Sequence, residues 1–207
     1  MLIGIPKERY PGECRVAIIP SGVQVLLSAG FEVVVEAGAG DNAHFSDDEY
    51  RTSGASIAPD AASLYGQADL ILKVRYPLPE ETGLLREDTT LIAILDPWIN
   101  LSLVRTLAQR RIRAFSLDLI PRTTRAQSMD VLSSMGAIAG YRGILAGAMA
   151  LPQYFPMLMT AAGTIHPARV FVIGAGVTGL MAISTARRLG AIVEAYDTRS
   201  EVKEQVE

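Results

Sequence analysis

Residue types that build disulfides, metal centres and nucleic-acid surfaces are scarce in this sequence. Its 207 residues include one cysteine, Cys14, and two histidines, His44 and His166. A single cysteine closes no internal disulfide, which predicts a reducing, cytoplasmic compartment. The two histidines are far apart in sequence and have no cysteine at ligand spacing, so we expect no metal site. A net charge of -3 with scattered basic residues argues against nucleic acid as a partner.

Long apolar runs without a charge are also lacking. The best candidate for a membrane span, residues 131–151, carries Arg142 in its middle. An arginine at the centre of a bilayer costs about 2.5 to 3.5 kcal/mol on insertion scales, and the glycines and serines around it offset little of this. We therefore expect a buried helix here, and no direct membrane span in this chain.

The hydrophobic residues, 49% of the chain, are organised as short runs that alternate with helical patterns. The runs are MLIGI (1–5), FEVVVE (31–36), LILKV (70–74), LIAIL (91–95) and IRAFSLDLI (112–120). Between them, Ser46 with Glu49 has the spacing of a capping box, and Gly30 and Gly54 stand where helices should stop. Strands alternating with helices predict a mostly parallel sheet covered on both faces.

The alternation gives way near residues 121–135 to a longer helix of small residues that ends near Ala150, and a new strand begins at Arg169. We therefore predict an N-terminal α/β domain over 1–126 and a second domain over 127–207, which holds the linking helix. A mononucleotide-binding half needs a third strand beyond its second helix, and that helix has barely begun at Glu207. We expect the second domain to be truncated.

Residues 170–180, VFVIGAGVTGL, match G-x-G-x-x-G at Gly174, Gly176 and Gly179. The match follows an apolar strand, opens a helix and is followed by the strand AIVEAYD, which is the context of a dinucleotide-binding turn. The first glycine permits the tight turn, the second lets backbone amides approach a pyrophosphate, and the third lets the helix pack close to the strand. A glycine turn in another kind of α/β unit is the alternative.

Asp197 ends the second strand, 18 residues after Gly179. There its carboxylate can accept hydrogen bonds from both ribose hydroxyls of an adenosine and would repel a 2′-phosphate, which favours NAD(H) over NADP(H). Arg199 complicates this preference, because an arginine two residues further on could pair with a phosphate.

A polar segment, PRTTRAQSMD (121–130), precedes the small-residue helix. If that helix begins near Gln127, then Gln127, Asp130 and Ser133 lie along one flank of its first turns, and Arg122 can fold over them from the loop. An amide, a carboxylate and a hydroxyl complement the carboxamide of nicotinamide. Ordinary capping, with Ser128 as the cap residue and Asp130 near the positive end of the helix, explains the same residues.

The segments RTTRAQSMDVLSS, GAIAGYR, TAAGTI, VFVIGAGVTGL and YDTRSEVKEQVE resemble the NAD(H)-binding domain of the proton-translocating nicotinamide nucleotide transhydrogenases. IGIPKERYPGECRVAIIPSGV and EAGAGDNAHFSDDEY resemble that family and its relative, alanine dehydrogenase. The resemblance implies an N-terminal Rossmann-like domain joined by a long helix to a second, truncated Rossmann NAD-binding domain. It assigns nicotinamide binding to Arg122, Gln127, Asp130 and Ser133. The predicted cofactor-binding residues are Gly174, Ala175, Gly176, Val177, Gly179, Asp197, Thr198 and Arg199.

The resemblance further implies that NADH is presented for hydride transfer to NADP⁺ on a partner domain, with proton translocation in the full complex. The implied partners are NADP-binding and membrane subunits and a second copy of this chain, at the cytoplasmic face of the membrane. This chain alone is expected to be inactive.

Two other functions remain open. In an alanine dehydrogenase, Arg15 and Lys73 match the positions of a carboxylate clamp, but both residues are compatible with transhydrogenases too. That enzyme would also be expected to carry a histidine where this chain has Asp96, since proton transfer near neutral pH favours histidine. The other is a degenerate or truncated binding module with no turnover.

Overall fold

The computed structural model describes residues 1–202 and 204, which form two compact units, Met1–Met129 and a second unit that begins at Asp130. The first unit contains a six-stranded parallel sheet in the order β3-β2-β1-β4-β5-β6. Its strands are β1 (Leu2–Ile5), β2 (Glu32–Glu36), β3 (Ser56–Ala58), β4 (Leu70–Arg75), β5 (Thr90–Ile94) and β6 (Arg113–Ser116). The predicted parallel α/β sheet is confirmed.

Five helices connect these strands and cover the sheet. They are α1 (Pro20–Ser28), α2 (Asp47–Thr52), α3 (Ala61–Gln67), α4 (Pro79–Leu84) and α5 (Leu101–Gln109). Because side chains alternate across a strand, Val33 and Val35 enter one core while Val34 enters the core on the other face. Burial on both faces explains why the strands read as unbroken apolar runs.

Local signals at the helix ends match the structure in this unit. The amide of Glu49 donates to the Ser46 hydroxyl, and the Ser46 amide donates back to the Glu49 carboxylate. Gly30 and Gly54 adopt φ of 85° and 99°, a backbone region that favours glycine. The predicted capping box and both glycine stops are confirmed.

The run at 112–120 differs from its prediction as a single strand. β6 ends at Ser116, and Leu117–Leu119 forms a 3₁₀ helix. The reason is Asp118, whose Oδ1 accepts from the Leu95 amide at 3.0 Å and from the Ser116 hydroxyl, so the chain bends to bring that carboxylate to the end of β5.

The second unit pairs two helices with a short parallel sheet. It contains α6 (Val131–Ala150), the antiparallel hairpin β7 (Leu158–Thr160) and β8 (Gly163–Ile165), β9 (Arg169–Ile173), α7 (Val177–Arg188) and β10 (Ile192–Tyr196). β9 and β10 are parallel neighbours. In the part of the chain that the structure describes, no helix combines the length and the apolar character that a membrane crossing requires.

Small residues let α6 approach α7 closely. A Cβ on Gly140 would stand 2.2 Å from the carbonyl oxygen of Thr178, and one on Gly136 would stand 2.8 Å from the Thr178 hydroxyl. A side chain on Gly140 would separate the helices, because it meets backbone, whereas one on Gly136 would require the Thr178 hydroxyl to move. Gly140 is the buried residue of α6 and the rest of the helix is exposed or half-buried, so the expectation of a buried helix is wrong.

Candidate functional site

The predicted glycine turn connects β9 to α7. Gly174 adopts φ of 91°, and its amide donates to the carbonyl of Tyr196 on β10 at 2.7 Å. A Cβ on Gly179 would stand 1.8 Å from the carbonyl oxygen of Gly174, so the first turn of α7 lies directly against the turn. At both positions the backbone requires glycine, which is the role that the fingerprint assigns to the first and third glycines.

Gly176 has a different environment. It is the cap residue of α7 and has no side chain to accept from the first amides of the helix. Among the described residues, the only atom within 4 Å of a Cβ built on it is Arg199 Nη2, at 3.9 Å. The fold itself therefore has room for a side chain at this position. Open space beside the amides at a helix start fits a pyrophosphate, which those amides and the helix dipole would stabilise.

Asp197 comes directly after β10 and contacts the glycine turn. Its Oδ2 accepts from the Ala175 amide at 2.7 Å, and its Oδ1 accepts from the Arg199 amide at 2.9 Å. The Arg199 guanidinium also donates to both carboxylate oxygens, at 3.1 Å each. The hydrogen bonds from the Arg199 side chain, followed by those from the two amides, hold the pKa of Asp197 well below its usual range. Asp197 is therefore an anion beside the turn at neutral pH.

The start of α6 corrects the predicted geometry of the polar segment. The helix begins at Val131 with Asp130 as its cap, because Asp130 Oδ1 accepts from the Ser133 amide at 2.9 Å. Asp130 Oδ2 also accepts from the Ser133 hydroxyl at 2.6 Å. The predictions that the helix begins near Gln127 and that Ser128 caps it are wrong, since the carboxylate of Asp130 satisfies the first free amides.

Asp130 and Ser133 lie toward the glycine turn along α6. Gly140 packs against Thr178 and Ala182, whereas Gly136 packs against Thr178 alone. Passing from Gly140 to Gly136 thus leads toward the start of α7, and the first turn of α6 continues in the same direction. The capped carboxylate and hydroxyl are at the same end of the helix pair as the turn.

Arg122 and Gln127 belong to the first unit, and both are exposed. Gln127 lies in a 3₁₀ helix, Thr124–Met129, and not on α6. The expected alignment of Gln127, Asp130 and Ser133 along one helix flank is therefore absent. The structure brings Asp130 and Ser133 together by direct hydrogen bonds, and it leaves Arg122 and Gln127 on the segment that leads to them.

The carboxylate clamp considered for an alanine dehydrogenase is neutralised within the first unit. The Arg15 guanidinium donates to both oxygens of Glu13, at 2.7 and 2.6 Å. Lys73 is 2% exposed, and its Nζ is 2.8 Å from Glu81 Oε1 and 3.4 Å from Glu8 Oε2. Burial raises the pKa of Glu8, against the opposing effect of Lys73. Both cations are paired in this structure, Lys73 with buried carboxylates and Arg15 with Glu13 in a more exposed pair.

The sequence does not indicate that Glu81 pairs with Lys73. Glu81 reads as the third residue of a helix, where an acid is favoured by the helix dipole. In the structure its Oε2 accepts from the Leu78 amide at 2.9 Å while its Oε1 accepts from Lys73 Nζ.

Asp96, where an alanine dehydrogenase would be expected to carry a histidine, lies in a turn after β5. Its φ is 47°, and its carbonyl accepts from the Ile99 and Asn100 amides.

Over residues 1–202 and 204, no three or more His, Cys, Asp or Glu side chains are grouped so as to hold a metal ion. The chemistry of the second unit therefore rests on the glycine turn, Asp197 and the capped start of α6. A strand, a glycine turn opening a helix, and an acid after the next parallel strand define a Rossmann-type nucleotide-binding α/β protein.

Comparisons with known proteins agree with that class. Residues 4–139 match the family model "Alanine dehydrogenase/PNT, N-terminal domain", and residues 143–207 match "Alanine dehydrogenase/PNT, C-terminal domain". The chain belongs to the alanine dehydrogenase/PNT family.

Similar proteins include both branches of that family. An NAD(P) transhydrogenase subunit alpha protein of Rhodospirillum rubrum is 50% identical over 212 aligned positions, which cover 100% of this chain and 55% of that protein. The structure of a transhydrogenase from Sinorhizobium meliloti has a TM-score of 0.96 and 48% identity, over 100% of this chain and 61% of that one. The structure of an L-alanine dehydrogenase has a TM-score of 0.88 and 30% identity, over 100% of this chain and 57% of that one. The chain spans about half the length of the curated relatives.

Proposed function

We propose that this chain is the NAD(H)-binding component of a nicotinamide nucleotide transhydrogenase. The observation that carries the proposal is the contact between Asp197 and the glycine turn. The Asp197 carboxylate accepts a hydrogen bond from the Ala175 amide, next to the open space at Gly176. Gly174, Ala175, Gly176, Val177 and Gly179 would hold the pyrophosphate, and Asp197 would hold the adenosine ribose, with Thr198 and Arg199 next to it on the same segment.

The nicotinamide end is assigned to the start of α6 and the segment before it. Asp130 and Ser133 are held against each other by two hydrogen bonds in the first turn of α6, at the end of the helix nearer the start of α7. The resemblance also assigns nicotinamide contacts to Arg122 and Gln127, which lie on the exposed segment before α6. Bound NADH supplies the hydride that passes to NADP⁺ on a partner domain. The residues named here bind and orient the dinucleotide, and such positioning supplies most of the rate in a transfer between two rings.

An alanine dehydrogenase is the alternative, and two observations weigh against it. Arg15 and Lys73 are paired with carboxylates of the same unit. The alanine dehydrogenase structure is 30% identical to this chain, against 48% for the transhydrogenase structure. In the proposed complex the partners are NADP-binding and membrane subunits and a second copy of this chain, at the cytoplasmic face of the membrane. Proton translocation would belong to the assembled complex.

Calorimetric titration of NADH into the chain tests the proposal. We expect saturable heat with NADH and much weaker binding of NADPH, because Asp197 is ionised beside the site of the ribose. A titration without heat would support the remaining hypothesis, a degenerate or truncated module, and would contradict the proposed function.

Replacing Gln127 by alanine tests the nicotinamide assignment. We expect the variant to keep the melting temperature of the parent chain, because Gln127 is exposed and lies outside α6. Loss of one or two amide hydrogen bonds should lower productive NADH binding or hydride transfer by roughly three- to tenfold. Ser128→Ala, an exposed neighbour in the same 3₁₀ helix, is the matched control. Loss of stability in proportion to loss of activity would instead assign Gln127 a structural role.

A further inference from the structure

The carboxylate of Asp197 has no acceptor position left over in this structure. A carboxylate offers about four lone-pair sites on its two oxygens. Oδ2 accepts from the Ala175 amide and from Arg199 Nη2, and Oδ1 accepts from the Arg199 amide and from Arg199 Nε. Ribose hydroxyls would need these same oxygens.

The side chain of Arg199 takes two of the four positions in a fork geometry. Its Nε and Nη2 each stand 3.1 Å from one oxygen of Asp197, an arrangement that resembles a pair of neighbouring hydroxyl donors. The two backbone amides belong to the turn and to the segment after β10. The guanidinium, by contrast, is on a side chain, so its displacement need not move the backbone of the turn.

Arg199 also lies over the space assigned to the nucleotide. Its Nη2 is the atom nearest to a Cβ built on Gly176, at 3.9 Å. The Arg199 side chain is 58% exposed, whereas that of Asp197 is 11% exposed. The guanidinium thus covers the carboxylate from the solvent side, where a dinucleotide would approach.

We infer that Arg199 occupies the ribose-binding carboxylate in the nucleotide-free chain and that NADH must displace it. This inference rests on the proposed function, since it concerns the same turn. Arg199 is a specificity-determining residue in this arrangement. It competes with the ribose hydroxyls, and by neutralising Asp197 it weakens the repulsion of a 2′-phosphate.

The competition is modest in size because the pair is exposed. Exposed ion pairs contribute little, so removing the guanidinium should tighten NADH binding by about two- to fivefold. The same change leaves the Asp197 charge unshielded, and the preference for NADH over NADPH should therefore increase by a comparable factor.

Equilibrium titration of NADH into the full chain and its Arg199→Ala variant tests the inference. Arg187→Ala is the matched control, because Arg187 is exposed in the last turn of α7 and its removal costs the same positive charge. We expect tighter binding in Arg199→Ala and binding no tighter than the parent in the control. With an NADH analogue that lacks the adenosine 2′-hydroxyl, the gain should shrink, because one of the competing donors is missing.

A spectroscopic readout follows the guanidinium itself. In the free chain, the Nε proton of Arg199 should give a protected NMR resonance, and ADP-ribose should shift that resonance or abolish its protection. If Arg199→Ala binds NADH no more tightly than Arg187→Ala does, the inference is overturned and the proposed function stands. Absence of NADH binding in the parent chain and in both variants would overturn the inference and the proposed function together.

Discussion

The Gly176→Ala variant is expected to fold like the parent chain and to bind NADH much more weakly. Gly176 has φ of -76° and ψ of -167°, which alanine adopts without strain, and the nearest atom to the added Cβ is Arg199 Nη2 at 3.9 Å. The methyl group would, however, fill the space where the pyrophosphate approaches the amides at the start of α7. Overpacking of this kind costs about 1–3 kcal/mol, so affinity should fall by roughly ten- to a hundredfold.

Two further glycine variants separate folding from binding in the same experiment. Gly179→Ala should lower both melting temperature and affinity, because its Cβ would stand 1.8 Å from the Gly174 carbonyl oxygen. Gly143→Ala, in α6, meets no atom of the described residues within 4 Å and should keep NADH affinity and gain up to about 1 kcal/mol of stability. Unchanged NADH affinity in Gly176→Ala, by calorimetry, would remove the pyrophosphate from this turn.

In Asp197→Asn, we expect the preference for NADH over NADPH to fall by roughly tenfold or more. Asparagine keeps the shape but loses the charge, so the ribose hydroxyls lose charge-assisted acceptors and a 2′-phosphate is no longer repelled. The two dissociation constants, measured by titration of each nucleotide, give the ratio directly.

Glu194→Gln is the matched control for that variant. Glu194 lies on β10, the strand that Asp197 follows, and is exposed, but it pairs with Arg169 and not with the glycine turn. Its replacement removes the same charge from the second unit, and the ratio should stay at the parent value. A ratio that is unchanged in Asp197→Asn, or that moves equally in the control, would withdraw Asp197 from ribose recognition.

Much of the first unit could be predicted because its strands are buried on both faces. A run such as Val33–Val35 must be apolar throughout when successive side chains enter opposite cores. The three-residue strands β3, β7 and β8 gave no such signal. β7 and β8 are largely exposed, so their sequences, LMT and GTI, carry neither an apolar run nor an alternating pattern.

The glycine turn was predictable because backbone geometry restricts the residue type. Gly174 needs a positive φ and Gly179 needs the absence of a Cβ, and both requirements appear directly in the sequence. The first residue of α6 could not be predicted in the same way. Gln127, Ser128 and Asp130 are all polar residues suited to a helix start, and only the hydrogen bond from the Ser133 amide identifies Asp130 as the cap.

The contacts of Asp197 were predictable in part. Its place at the end of β10 follows from the spacing of the fingerprint, and the nearness of Arg199 follows from two residues of separation. The hydrogen bond from the Ala175 amide and the closing of the fork over the carboxylate depend on the path of the chain after β10. The residue types in that segment do not predict this path.

The most direct test of the account is the choice of hydride acceptor. NADH oxidation is followed with the chain and its partner subunits, first with an NADP⁺ analogue and then, separately, with pyruvate and ammonia. The account predicts oxidation with the NADP⁺ analogue and none with pyruvate and ammonia, because Arg15 and Lys73 are already paired within their own unit. Oxidation of NADH by pyruvate and ammonia would contradict it and identify an amino-acid dehydrogenase.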